Sequence, residues 1–201
     1  MTKTLEFVFD FASPNAYLAH RALPPILERT GALLKITPCL LGGIFKATGN
    51  QAPMIAFSNV KGKLDYERLE IQRFIAQYGL KNFRFNPNFP VNTLVMMRAA
   101  VIADKENRLD EFIDVGLHAM WEAGLKMDDP DVFTDVMNDA GFDGAALLTR
   151  SQDPDIKARL VENTQTAVAR GCFGVPTFFV GQEMFFGKER LMQIEDELSR
   201  P

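Results

Sequence analysis

Phe7-Val8-Phe9-Asp10-Phe11-Ala12-Ser13-Pro14-Asn15-Ala16 is the stretch that decides how this 201-residue chain folds. Leu5 to Phe9 reads as a short buried strand, apolar apart from Glu6. Ser13 then supplies an N-cap oxygen. Pro14 is well suited to the first helical position, where no N–H is needed. A hydroxyl at such a cap stands where free backbone donors and the positive end of the helix dipole favour an anion.

Working outward, the helical pattern that opens at Ser13 runs to about Arg29 and stops at Thr30-Gly31. Leu33 to Cys39 reads as a second strand, broken by Leu41-Gly42-Gly43-Ile44, so the chain opens β-α-β with a parallel pair. Its last thirty residues have another plan. Thr177–Val180 and Glu183–Phe186 are short apolar strands joined by Gly181-Gln182, a two-residue hairpin signal, and Gly187 leads into a helix from about Lys188 to Ser199. Between these ends the signals are helical. Asp65 to Tyr78 stops at Gly79, and Asn92–Lys105 and Arg108–Ala123 are apolar at helical spacing. Asp129-Pro130, Asp143 and Asp153-Pro154 read as N-caps, and the last of these helices ends at Arg170-Gly171. A β-α-β unit followed at a distance by β-β-α is the thioredoxin plan. The expected fold is therefore α/β, a thioredoxin-like fold split by a large all-helical insertion, with residues 1–45 plus 170–201 forming one domain and 46–169 the insertion.

Composition narrows the function. The chain is 47% hydrophobic, enough for a core without staples, and its net charge of -4 argues against nucleic acid as a partner. Cys39 and Cys172 are far apart with no x-x spacing, which excludes a zinc ribbon or a disulfide framework and leaves no metal site to expect. Met1-Thr2-Lys3-Thr4 leads straight into a strand, and no run reaches the length of a membrane span, so the expected location is the cytoplasm, with no membrane partner.

Several pieces in order carry a family resemblance: Phe9 to Ala19, Gly49-Asn50, Lys61-Gly62, Phe89-Pro90-Val91-Asn92-Thr93, Gly174-Val175-Pro176-Thr177-Phe178 and Phe186-Gly187-Lys188-Glu189-Arg190-Leu191. With them the chain resembles the 2-hydroxychromene-2-carboxylate isomerase family, kin of the kappa-class glutathione transferases and, more distantly, of the DsbA-type disulfide oxidoreductases. A thiol oxidoreductase would carry Cys-Pro-x-Cys where this chain has Ser13-Pro14-Asn15-Ala16. Serine forms no disulfide, but its O–H can donate to the thiolate of another molecule.

The resemblance implies glutathione as cofactor, a small aromatic substrate and a homodimer. Ser13 would be catalytic and would meet the glutathione sulfur. Pro176 would be a cis-proline facing that cap, leaving the Val175 N–H and C=O to pair with the extended tripeptide. The amides of Gly187, Lys188 and Glu189 would hold the γ-glutamyl carboxylate, and the Glu189 side chain, where the family usually has aspartate, its ammonium. Asn50 and Lys61 would face the tripeptide, with Lys63 an alternative to Lys61 at the glycyl carboxylate.

The resemblance also implies the reaction: glutathione-dependent interconversion of 2-hydroxychromene-2-carboxylate and trans-o-hydroxybenzylidenepyruvate in aromatic degradation, by reversible thiolate addition. A kappa-type transferase or peroxidase and a redox-dead thioredoxin-like binding module are the alternatives. Other residues read as structural. Tyr17 packs with its hydroxyl satisfied, Cys172 has no partner, and the methionines fill helical faces. His20 and His118 belong to no triad, so Ser13 has no histidine base. Trp121 is core by pattern, although the resemblance makes it a possible pocket wall. Arg73, Arg84 and Arg98 are each able to reach a substrate carboxylate, and spacing selects none.

Overall fold

A computed structural model describes residues 2–200. Four strands, β1 (Thr4–Phe9), β2 (Leu33–Pro38), β3 (Thr177–Val180) and β4 (Glu183–Phe186), form one sheet in the order β2-β1-β3-β4. β1 pairs parallel with β2, with Phe7 opposite Ile36, and antiparallel with β3, with Phe7 opposite Phe178. β3 and β4 form the hairpin across Gly181-Gln182. Every element between β2 and β3 is helical. This is the thioredoxin-like arrangement with the large helical insertion.

β1 is central, and four of its six residues, Leu5, Phe7, Val8 and Phe9, are apolar and buried. Its aromatic rings pack with neighbours on every side: Phe7 on Phe178 at 4.6 Å, Phe9 edge-on to Phe11 at 4.9 Å, and Phe11 against Phe112 at 6.0 Å. The helices are α1 (Pro14–Ala22), α2 (Pro24–Thr30), α3 (Leu41–Thr48), α4 (Pro53–Ala56), α5 (Lys63–Tyr78), α6 (Leu94–Lys105), α7 (Leu109–Trp121), α8 (Pro130–Asp139), α9 (Gly144–Arg150), α10 (Pro154–Ala169) and α11 (Leu191–Ser199), the last preceded by a 3-10 turn at Lys188–Arg190. α6 and α10 pack on β2 and on each other, α10 also on α3, and α11 on β3 and α2. Among the described residues no helix is long and apolar enough to cross a membrane.

Two local expectations are corrected. The first helix is not continuous from Ser13 to Arg29. Pro24 and Pro25 lack N–H groups, so α1 ends at Ala22, and Leu23 is both its C-cap and the N-cap of α2. Leu41-Gly42-Gly43-Ile44 does end the strand, but it does so by starting α3. The Leu41 N–H is bonded to the Asp10 carboxylate at 2.7 Å and the Leu40 N–H to Thr164 Oγ1 at 3.0 Å. Caps supplied from distant residues satisfy the first turn of a helix with weak local propensity. Elsewhere the caps are local. Asp129 accepts from the Asp131 and Val132 N–H groups and Asp143 from Ala146, whereas Asp153 precedes Pro154 in extended geometry without a side-chain cap bond.

Candidate active site

At the C-terminal end of β1 the chain turns once and enters α1. Ser13 caps that helix, its Oγ accepting from the Ala16 N–H at 3.2 Å, and is buried. The same hydroxyl donates to the Val175 carbonyl at 3.0 Å. The Val175–Pro176 peptide is cis. Two residues 162 apart in sequence are thus brought into direct contact, and among the described residues the Val175 N–H donates to nothing.

Beside this contact lies a cavity of about 520 Å³ whose walls include Asn50, Phe57, Phe173, Gly174, Val175 and Phe186. Phe173 and Phe186 pack at 4.5 Å. Gly174 lets the Phe186 ring pack close, since a Cβ would stand 2.9 Å from it and push the ring aside. Asn50 donates from Nδ2 to the Phe173 carbonyl at 2.8 Å and accepts from the Gln51 N–H at 2.8 Å, tying the turn after α3 to the loop that carries Val175. Lys61, on the exposed turn before α5, does not line the cavity and makes no hydrogen bond or ion pair among the described residues. Lys63 is ion-paired with Glu67, and its ammonium lies 5.2 Å from the Phe57 ring.

The turn at Gly187 requires one correction. The Gly187 N–H is taken by the Pro176 carbonyl at 3.0 Å, so it is not a free donor; those of Lys188 and Glu189 make no hydrogen bond among the described residues. The Lys188 side chain is buried against Phe74, 5.4 Å from its ring centroid, and pairs with Glu189.

Residues 4–199 match the DSBA-like thioredoxin domain family. The chain belongs to that family. It is 30% identical over 196 residues to the 2-hydroxychromene-2-carboxylate isomerase of Pseudomonas putida, covering 98% of this chain and 94% of that one. A solved structure of 2-hydroxychromene-2-carboxylate isomerase superposes with a TM-score of 0.84 at 29% identity, over 98% of this chain and 95% of that one. The glutathione S-transferase kappa 2 of Caenorhabditis elegans is 27% identical over 213 residues, 99% of this chain and 93% of that one. These full-length matches make the chain an enzyme related to the isomerases.

This DsbA-like chain carries a hydroxyl rather than a thiol at the cap of α1. Its two cysteines, Cys39 and Cys172, are buried and free. Cys172 donates to the Gly174 carbonyl at 3.1 Å, under the loop that presents Val175, and burial pushes the Cys39 thiol up, so it stays protonated.

Asp10, to which the sequence alone assigns no role, supports the site. It is fully buried. Oδ1 accepts from the Ala12 N–H at 2.9 Å and from Thr93 Oγ1 at 2.7 Å, and Oδ2 from the Leu41 N–H at 2.7 Å, while its backbone carbonyl accepts from the Ser13 N–H at 3.2 Å. One carboxyl thus joins the Ser13 turn, the start of α3 and the start of α6. Burial raises its pKa, against the three hydrogen bonds that favour the anion. An acid within the aromatic run Phe7-Val8-Phe9-Asp10-Phe11, just past the end of β1, is the available signal. The buried side chain of Lys188 gave none, since a lysine in a first helical turn ordinarily reads as solvated.

The remaining candidates are structural. The Tyr17 hydroxyl donates to Glu122 at 3.1 Å, and burial, then the neighbouring carboxylate, pushes the phenol up to about 12. Burial holds His20 down at about 4, with Nδ1 unpartnered, and His118 pairs with Glu122 on the surface. Trp121 is buried, donating to the Phe11 carbonyl at 2.9 Å. Arg73 pairs with Glu70, and Arg84 donates to the carbonyls of Lys81 and Phe83 at 2.9 Å. Arg98 makes no hydrogen bond or ion pair among the described residues and lines a different groove.

Proposed function

We propose that this enzyme is a glutathione-dependent isomerase that interconverts 2-hydroxychromene-2-carboxylate and trans-o-hydroxybenzylidenepyruvate. The Ser13–Val175 contact is the observation that carries the reading. It pairs a buried hydroxyl at a helix N-terminus with a strand-like backbone edge whose N–H is unused. Such an edge suits an extended peptide, and the neighbouring cavity has room for one.

Glutathione fits these residues. Val175 would take its cysteinyl unit, the free Lys188 and Glu189 amides its γ-glutamyl carboxylate and the unpartnered Glu189 Oε2 its ammonium. Asn50 and Lys61 would take its glycyl end. When bound, glutathione supplies a thiolate that adds reversibly to a conjugated carbon, lets the former double bond rotate and leaves again unconsumed.

The work of the chain is to make that thiolate available. Ser13 has a single O–H, so it cannot donate to Val175 and to sulfur together. Turned from the carbonyl to the sulfur, it stabilises the anion and frees the Val175 carbonyl for the peptide N–H. The α1 dipole acts in the same direction. Half-buried His20 and surface-paired His118 offer no imidazole base to the sulfur, so its proton would pass to solvent, with this hydrogen bond and dipole lowering the thiol pKa.

Incubation with substoichiometric glutathione tests the reading. An isomerase converts many equivalents of 2-hydroxychromene-2-carboxylate, read by absorbance, and mass spectrometry finds no thioether. The kappa-class relative favours a second reading, a transferase on the same site. In that case conversion stops when glutathione equivalents are used up, and a stable conjugate accumulates.

A further inference from the structure

On the other flank of α3 from the Asn50–Val175 cavity lies a groove of about 820 Å³ between α3, α6 and α10. The two spaces share no wall residue. Phe45, Thr48 and Gly49 face the first, Gly43, Lys46 and Ala47 the second. Gly43 lets the helices close on its floor, because a Cβ there would meet the Thr164 methyl at 3.2 Å. The walls are aliphatic, with Leu40, Leu94, Leu160, Val161 and Val168 as the main contributors.

The charges in this groove are one-sided. Lys46, Arg98 and Lys157 line it, and no aspartate or glutamate does, in a chain whose net charge is -4. None of the three cations makes an ion pair or a hydrogen bond among the described residues. Arg98 Nε is buried without an acceptor. An unpaired buried guanidinium N–H is costly and calls for an acceptor. Of the two uncharged polar side chains that line the groove, Gln165 is exposed, and the Thr164 hydroxyl is spent, accepting from the Leu40 N–H and donating to the Leu160 carbonyl at 2.7 Å.

A second groove, under the edge strand β2, shows what the ordinary arrangement looks like. Its cations are all paired: Arg170 and Lys35 with Glu6, Arg159 with Glu162, and Lys105 with Asp155.

We propose that the α3/α6/α10 groove is a binding site for a small amphipathic carboxylate, separate from the site of Ser13. The Arg98 guanidinium takes the carboxylate, Lys46 and Lys157 add to the field, and the aliphatic walls take the apolar body. A planar fork with donors in fixed geometry suits a carboxylate better than a point charge does. The volume is that of a small-molecule site. Apolar walls with a few convergent cations select an anion that also carries hydrophobic surface, rather than inorganic phosphate.

Isothermal titration with 2-naphthoate and its uncharged analogue 2-naphthamide, both at saturating glutathione, tests this. The expected result is one 2-naphthoate per chain, with the amide bound at least about tenfold more weakly, as loss of a charge-assisted pair implies. Arg98→Met should weaken 2-naphthoate about tenfold or more and leave the amide unchanged. Val161→Glu, an exposed wall position, should abolish 2-naphthoate binding without changing affinity for glutathione, and it serves if the Arg98 variant fails to fold. Absence of binding at millimolar 2-naphthoate, equal affinity for acid and amide, or binding insensitive to both substitutions would overturn the proposal.

Discussion

Ser13 and Asn50 both border the candidate site, but they are held in different ways. Ser13 is buried at the end of the central strand, and its turn is fixed by a carboxyl that also anchors α3 and α6. Asn50 lies on an exposed turn and is held to the rest of the molecule by one side-chain bond to the Phe173 carbonyl. Lys61, further along the same segment, is held by no side-chain bond among the described residues. The chemical group is placed by the most rigid part of the fold, and the groups that would recognise the ends of a ligand stand on chain that can adjust. Substitutions on the first side should therefore cost stability, and those on the second side only affinity.

The largest effect is expected at Asp10. Asp10→Ala leaves the Ala12 N–H, the Leu41 N–H and the Thr93 hydroxyl without an acceptor inside the core, and each orphaned donor costs about 1–3 kcal/mol. Urea unfolding should show a loss of at least about 3 kcal/mol. A loss below about 1 kcal/mol would mean that the Ser13 turn does not depend on this network, and the contrast between the two regions would fail.

His20 sharpens the same side of the comparison through pH. Its pKa is about 4 in the fold and near 6.5 in the unfolded chain. Between those values the unfolded chain binds a proton that the native protein does not. The stability from keeping His20 neutral is thus complete above about pH 6.5 and is lost as pH falls toward 4. Thermal or urea unfolding from pH 7 to 4 should show His20→Leu losing less stability than the parent, by up to about 3 kcal/mol. Parallel losses in the two proteins would show that His20 takes up its proton at the same pH in the native and unfolded states.

The smallest effect belongs to the exposed segment. Lys61→Met should weaken glutathione binding five- to tenfold, about 1 kcal/mol, with no change in unfolding. Lys63→Met should change binding little, because its charge is already engaged by Glu67. The reverse ranking in titration calorimetry would move the glycyl contact from Lys61 to Lys63.

The same contrast explains what could be read from the sequence. Local signals were legible: the aromatic run ending at Phe9, the Ser13-Pro14 cap, the Gly181-Gln182 turn and the glycine stop at Gly79. The pairing of Ser13 with the 175–176 loop was legible only through the ordered family motifs. Interactions between distant residues were not. Nothing local to Leu41-Gly42-Gly43-Ile44 announces a helix whose first N–H is bonded to Asp10. Nothing local to Gly187 shows that its N–H is taken by Pro176. The break at Pro24-Pro25 was available in sequence, and a continuous helical period obscured it.

The central claim is that the Ser13 hydroxyl stabilises a glutathione thiolate, and thiolate absorbance against pH tests it most directly. With glutathione bound, replacing Ser13 by alanine should leave the protein folded at a cost of about 1 kcal/mol for the lost cap, and raise the thiol pKa by about one to two units, the equivalent of a hydrogen bond to a charged group at about 1.5–3 kcal/mol. Superimposable titration curves for the parent and Ser13→Ala proteins, both saturated with glutathione, would contradict the account.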